Sequence, residues 1–174
     1  MPELMMHTQN DKLDPGVLLQ LDTAVGEVFD LMVGMQAIAI QPTVLRIKPL
    51  VPGVKTKGDE LVTAIVAFAG TMSGSCLIQM QESAALKVTS AMLGARVTMI
   101  DSHVTDAIGE LCNMVAGCWK NKMPAITSEC LLSVPTVVTG DSYAVHHSMN
   151  IYTRRAYEFE DMQMVVTLLC GEIQ

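Results

Sequence analysis

The sequence predicts an α+β fold: a mostly antiparallel sheet of about six strands, long helices packed on it, and a pseudo-twofold internal repeat. Three observations carry this expectation. Residues 104–119, VTDAIGELCNMVAGCW, hold an apolar stripe at 4-3-4-3 spacing, the pattern of an amphipathic helix. Several runs rich in β-branched residues are bounded by glycine, proline and serine, as strands are. AVGEVFDLMVGM (24–35) and AIGELCNMVAGC (107–118) share Ala, Gly, Glu and a second Gly at an offset of 83 residues, and strand-rich sequence follows each.

Along the chain, residues 1–14 are expected to form a flexible lead-in, and 15–174 a single domain. A helix is expected over 15–36, with Asp14 as N-cap and proline at the first helical position. Residues 37–50 alternate and read as a strand ended by Pro52-Gly53, with a loop over 51–60. Residues 61–68 and 74–81 read as strands joined by a turn around 70–73. Residues 82–93 read as a helix stopped by Gly94. Asp101 or Ser102 can cap the helix that follows. Residues 126–134 read as a strand interrupted by Pro135. Residues 145–159 and 163–170 read as a hairpin turning at 160–162.

Composition narrows the function classes. A chain of 174 residues, half of them hydrophobic, can bury a sizeable core, and with only 4% aromatic residues that core must be aliphatic and methionine-rich. The 14 methionines therefore fit core filling better than an adaptable binding surface. A net charge of −7 argues against nucleic-acid binding, which needs clustered Lys and Arg. No apolar run approaches the roughly 18–20 residues of a membrane span, so no membrane insertion is expected. The polar, acidic N-terminus lacks a signal-peptide core, and a cytoplasmic location is the default. Five scattered cysteines with no C-x-x-C pair argue against disulfides and a zinc site; reduced, buried thiols are expected.

Asp106, Glu110, Asn113 and Gly117 recur at steps of 4, 3 and 4, within a narrow band of the helix surface. The apolar stripe, Val104, Ile108, Leu111, Val115 and Cys118, lies roughly opposite. Burying that stripe leaves a carboxylate and a carboxamide one turn apart facing outward, where they could meet a partner. By spacing alone such a pair reads as solvated surface. In the first copy of the repeat, Thr23 stands for Asp106 and Asp30 for Asn113, while Glu27 matches Glu110. Glu27 and Asp30 therefore read as solvated face or an inactive relic.

The spacing Asp106, Glu110, Asn113 and then Pro135 resembles the signature of the CheC/CheX/FliY family of chemotaxis phosphatases, most of all its CheX branch. Pro135 follows Asn113 after 21 intervening residues, one fewer than the family pattern. The run VTAIVAFAGTMSGSCLIQM and the helix ending AMLG also resemble the family, and the likeness extends over about residues 17–171. It implies hydrolysis of the aspartyl phosphate on a CheY-like response regulator, one intact site per chain, and a homodimer. It implies no cofactor of the protein's own, since the receiver supplies Mg²⁺.

Under that resemblance Asn113 positions the attacking water. Its amide both donates and accepts hydrogen bonds and carries no charge beside the phosphoryl oxygens. An aspartate there, as at Asp30, adds repulsion on the order of 4 kcal/mol at 4 Å with an effective dielectric near 20. Glu110 is placed to bind the lysine beside the receiver's phosphorylation site. Asp106 either contacts the partner or supports the helix start through the dipole, with the dipole weighing slightly more. Gly117 lets a partner approach closely. A non-catalytic receiver-binding or assembly module, related to flagellar switch middle domains, is the alternative, and a cysteine hydrolase is a third. His146 and His147 would point to opposite faces of a strand, against a shared metal site. Arg154 and Arg155 read as solvated face or edge protection.

Overall fold

The computed structural model describes residues 15–41, 60–70, 72–123, 130–140, 143, 145 and 150–171. The expected lead-in (1–14), most of the strand over 42–50, the loop at 51–59, and His146 and His147 lie outside the described residues.

Helix α1 (Pro15–Val28) opens the fold and passes into a π-turn, Phe29–Val33, closed by Gly34 at φ +68°. It ends earlier than residue 36 because a left-handed glycine accepts the geometry that turns the chain out of a helix. Strand β1 (Ile38–Ile40) follows, then β2 (Leu61–Ala69) and β3 (Gly74–Gln81), paired antiparallel from Leu61↔Gln81 to Phe68↔Gly74. Gly74 has no room for a side chain, since a Cβ would run into the Leu169 carbonyl and the Phe68 ring. Helix α2 (Glu82–Leu93) stops at Gly94, φ +64°, as its sequence implies. Helix α3 (Ser102–Asn121) begins at Asp101, whose carboxylate accepts from the backbone N–H groups of His103 at 2.9 Å and Val104 at 3.2 Å. Those bonds satisfy two of the four N–H groups that a helix start leaves without partners.

The C-terminal half adds β4 (Leu131–Leu132), β5 (Thr136–Gly140), β6 (Asn150–Phe159) and β7 (Met162–Cys170). Among the described residues the sheet has seven strands rather than about six, in the order β1-β6-β7-β3-β2, with β4 and β5 both along the outer side of β2. Every pairing is antiparallel. The extra strand comes from Pro135. Lacking an N–H, proline breaks the ladder, so one edge strand becomes two short ones. β5 pairs with residues 61–65 of β2 and β4 with Phe68 and Ala69. Among the described residues β1 pairs with Ala156–Glu158 of β6 and stops short of Arg154, which is exposed, and Arg155, which is half-buried.

Alternation along the strands builds the core. Val62, Ala64 and Val66 of β2 face the same side as their partners Met80, Ile78 and Cys76, and these stand beside Met164, Val166 and Leu168 of β7; all are buried. Val104, Ile108, Leu111 and Val115 of α3 close over this face, joined by Leu21, Val25 and Phe29 from the first helix. The ring centroids of Phe29 and Phe159 lie 5.1 Å apart, and those of Phe68 and Trp119 5.7 Å apart. With so few aromatic rings, Met80 and Met164 fill the gaps between them, as the composition implied. A polar clip ties α1 to β6: Arg155 grips Asp22 through two hydrogen bonds of 2.7 and 3.0 Å, and the Tyr157 hydroxyl donates to Asp22 at 2.8 Å.

Candidate functional site

Burial of the α3 stripe turns the opposite line of the helix outward. Asp106 and Glu110 are exposed, Asn113 and Gly117 are half-buried, and Cys112 is buried among the sheet residues. Glu110 and Asn113 stand one turn apart, with Cβ atoms about 5–6 Å from each other. Among the described residues, no hydrogen bond or ion pair engages the side chains of Asp106, Glu110 or Asn113. A carboxylate and a carboxamide are thus presented together, with their hydrogen-bonding capacity unspent.

The strap of residues 131–135 meets α3 on either side of Asn113. A Cβ on Gly109 would lie 3.2 Å from Pro135 Cβ and 3.3 Å from Val137 Cγ2; one on Gly117 would lie 3.7 Å from Leu132 Cδ1. The strap therefore touches α3 at Gly109 and at Gly117, the positions four residues either side of Asn113. Eight helical residues span about 12 Å, and three extended residues reach about 10 Å, so the strap from Leu132 to Pro135 matches the stretch it covers. Pro135 thus stands one residue before Glu110 on the helix, although its sequence spacing from Asn113 is one short of the family pattern. The closest approach at Gly117 is made by the chain's own Leu132.

The strap is held to β2 as well. The Ser133 N–H donates to the Ala67 carbonyl at 2.8 Å, and its Oγ accepts from the Ala67 N–H at 3.0 Å. One serine thereby replaces the ladder bonds that Pro135 interrupts. No periodicity marks Ser133 or Val134 in the sequence; the Ser-Val-Pro break between two apolar runs was the available signal.

The first copy of the repeat is arranged differently. Glu27, the counterpart of Glu110, bonds Lys122 of the chain itself at 2.8 Å and accepts from the Cys118 thiol at 3.3 Å. The hydrogen bond from Lys122, then the one from Cys118, holds the Glu27 carboxyl below the usual carboxylate range. Asp30 falls in the π-turn, where the helix has left α geometry, whereas α3 stays α-helical past Asn113. At Gly26, the counterpart of Gly109, no described residue would meet a Cβ within 4 Å, where Gly109 has Pro135. Glu27 is thus exposed, as expected, and is held in a surface ion pair within the chain.

The cysteines offer no nucleophile near Glu110. The Cys112 thiol lies buried against the Ala64 and Cys76 carbonyls at 3.6 and 3.5 Å. Burial, and then the Glu27 carboxylate, push the Cys118 thiol up, away from the reactive thiolate. Among the described residues, no group of three or more His, Cys, Asp or Glu side chains is gathered as metal ligands are. No described helix is long and apolar enough to cross a membrane.

With this geometry in place, the sequence matches the profile described as "Chemotaxis phosphatase CheX" over residues 62–154, which takes in α3, Glu110, Asn113 and the strap. The chain belongs to the CheX family. A CheX relative from Thermotoga maritima, named "CheY-P phosphatase CheX", is 37% identical over 82 residues, covering 47% of this chain and 52% of the relative. The chain therefore spans about half the length of the curated relative it matches. Among solved structures, chemotaxis protein CheX from Vibrio vulnificus superposes with a TM-score of 0.70 at 21% identity, covering 89% of this chain and 96% of that one. The CheX of a Borrelia burgdorferi CheX-CheY-BeF3-Mg+2 complex superposes with a TM-score of 0.65 at 18% identity, covering 92% of this chain and all of that one, 100%. These structures share the CheX fold seen here.

Proposed function

We propose that this protein hydrolyses the aspartyl phosphate of a CheY-like response regulator. The observation that carries the reading is the Glu110–Asn113 pair on the outward line of α3, which no described residue engages, with the strap meeting α3 on either side of Asn113. Membership of the CheX family supports it, as do the name of the Thermotoga maritima relative, a CheY-P phosphatase, and the CheY in the Borrelia burgdorferi complex.

An acyl phosphate is already reactive, so catalysis consists of placing a water in line with the scissile P–O bond. The Asn113 carbonyl oxygen accepts a hydrogen bond from that water, and its NH₂ group donates one to the water or to a phosphoryl oxygen. Water oxygen bonds to phosphorus as the bond to the aspartyl oxygen breaks; the electron pair returns to the receiver's carboxylate, and both of the water's protons leave with the phosphate as H₂PO₄⁻. Glu110 docks the receiver through a charge-assisted hydrogen bond to the lysine beside the phosphorylated aspartate. The Mg²⁺ is the receiver's. Asp106, exposed one turn further toward the N-terminus, contacts the partner or supports the helix dipole, and Gly117, with the chain's own Leu132 against it, lies at the border of the contact face. The reading includes a homodimer, to be tested by sedimentation.

The test is the decay of a phosphorylated CheY-like receiver with native protein, Asn113→Ala and Glu110→Ala. Native protein is expected to speed decay, and Asn113→Ala to lose about 10²–10³ of that rate, by comparison with removing one preorganised hydrogen-bond group. Binding without accelerated decay would favour the non-catalytic module.

A further inference from the structure

Val134 stands almost fully exposed at 84%, as does Leu131 at 78%. Isolated exposed aliphatic residues are ordinary on a protein surface. Val134 differs in being held. Leu132 abuts Gly117, Ser133 exchanges two hydrogen bonds with Ala67, and Pro135 lies against Gly109 with its φ set by the ring. The Ser133 hydroxyl also donates to the Val134 carbonyl at 2.9 Å. Leu132, Ser133 and Pro135 are thus anchored on both sides of Val134, which cannot turn inward without breaking those contacts, whereas Leu131, paired with exposed Ala69, lies on the sheet face away from α3.

Their position gives the exposure a meaning. The strap runs along α3 between the two contacts that bracket Asn113, so anything seated over Asn113 and Glu110 meets Val134. An apolar side chain bordering a polar pair matches the make-up of a docking surface, in which desolvated anchors supply affinity and polar groups supply orientation. We propose that the strap residue Val134 forms an apolar anchor that receives the phosphorylated receiver domain beside Glu110 and Asn113. The proposal rests on the receiver being the partner of Glu110 and Asn113.

The experiment measures binding of a CheY-like receiver, activated with beryllofluoride and Mg²⁺, to native protein, Val134→Asp, Val134→Ala, and Leu19→Asp as a control at an exposed leucine on α1, by calorimetry. Sedimentation and thermal melting accompany each variant. The expected result is a Kd weakened about tenfold by Val134→Asp, equivalent to about 1.4 kcal/mol, a smaller loss with Val134→Ala, and none with Leu19→Asp. Unchanged affinity in Val134→Asp overturns the proposal. So does a variant whose sedimenting mass drops while its affinity per chain stays native, since the strap would then face a second copy. A native protein that binds no activated receiver overturns it too. If native protein binds in a Val134-dependent way yet does not hasten dephosphorylation, the catalytic reading fails and the docking proposal stands.

Discussion

Replacing Gly109 with alanine tests whether the strap is pinned to the motif helix. Three helical glycines allow a controlled comparison, because what a new Cβ meets differs at each. At Gly26 it meets no described residue within 4 Å; at Gly117, Leu132 Cδ1 at 3.7 Å, an ordinary contact; at Gly109, Pro135 Cβ at 3.2 Å and Val137 Cγ2 at 3.3 Å. Helix propensity alone favours alanine by about 0.8–1.0 kcal/mol at each position. Gly26→Ala should keep that gain, which for a chain of this size raises Tm by about 3 °C. At Gly109 the two contacts are tighter than ordinary van der Waals contact, so Pro135 and Val137 must give by a few tenths of an ångström. The proline ring cannot change rotamer, and Ser133 ties its neighbours to β2. Overpacking of this kind costs about 1–3 kcal/mol. The balance is a net loss of about 1 kcal/mol, a Tm about 3 °C below native. The two variants should thus melt about 6 °C apart by the same scaling, with Gly117→Ala near Gly26→Ala. Thermal melts followed by circular dichroism, with urea titrations to obtain the free energies, measure this. A Gly109→Ala protein as stable as Gly26→Ala would refute the reasoning: the strap would then yield without cost and could not hold Val134 outward. Gly109→Ala should also slow receiver dephosphorylation, since the displaced strap borders Asn113.

Two further outcomes concern stability. Asp101→Ala removes the acceptor for the His103 and Val104 N–H groups and should cost about 1 kcal/mol, read as a lower urea midpoint. Burial pushes the Cys170 thiol from 9.0 up to about 12, so between those values the unfolded chain loses a proton that the folded protein keeps. Stability is therefore fully present below pH 9 and declines as pH rises toward 12. Cys170→Ala should decline less than native protein between pH 9 and 11 in urea titrations; parallel curves would dismiss this source of alkaline lability.

Local pattern was sufficient wherever one element's own chemistry decides the outcome. The α3 stripe, the Gly94 stop and the β2–β3 hairpin follow from periodicity and from residues that cap or turn, and each appears where the sequence places it. Glu110 and Asn113 were legible because a helix that must bury Val104, Ile108, Leu111 and Val115 has a single outward line left. The end of α1 was less so: a π-turn is set by how Phe29 and Val33 seat in the core, which 3.6-residue periodicity does not report.

The sequence by itself determined the fold class, the buried face of the motif helix and the outward Glu-x-x-Asn, because these depend on neighbours three or four residues apart. Only the tertiary structure decided that Glu27 is engaged by Lys122, a residue 95 positions away in the chain. It also decided that Pro135 splits an edge strand and meets Gly109, and that Val134 is held outward beside Asn113. These are contacts between distant segments, fixed by register along β2 and by the space a missing Cβ leaves; neither leaves a period in the sequence.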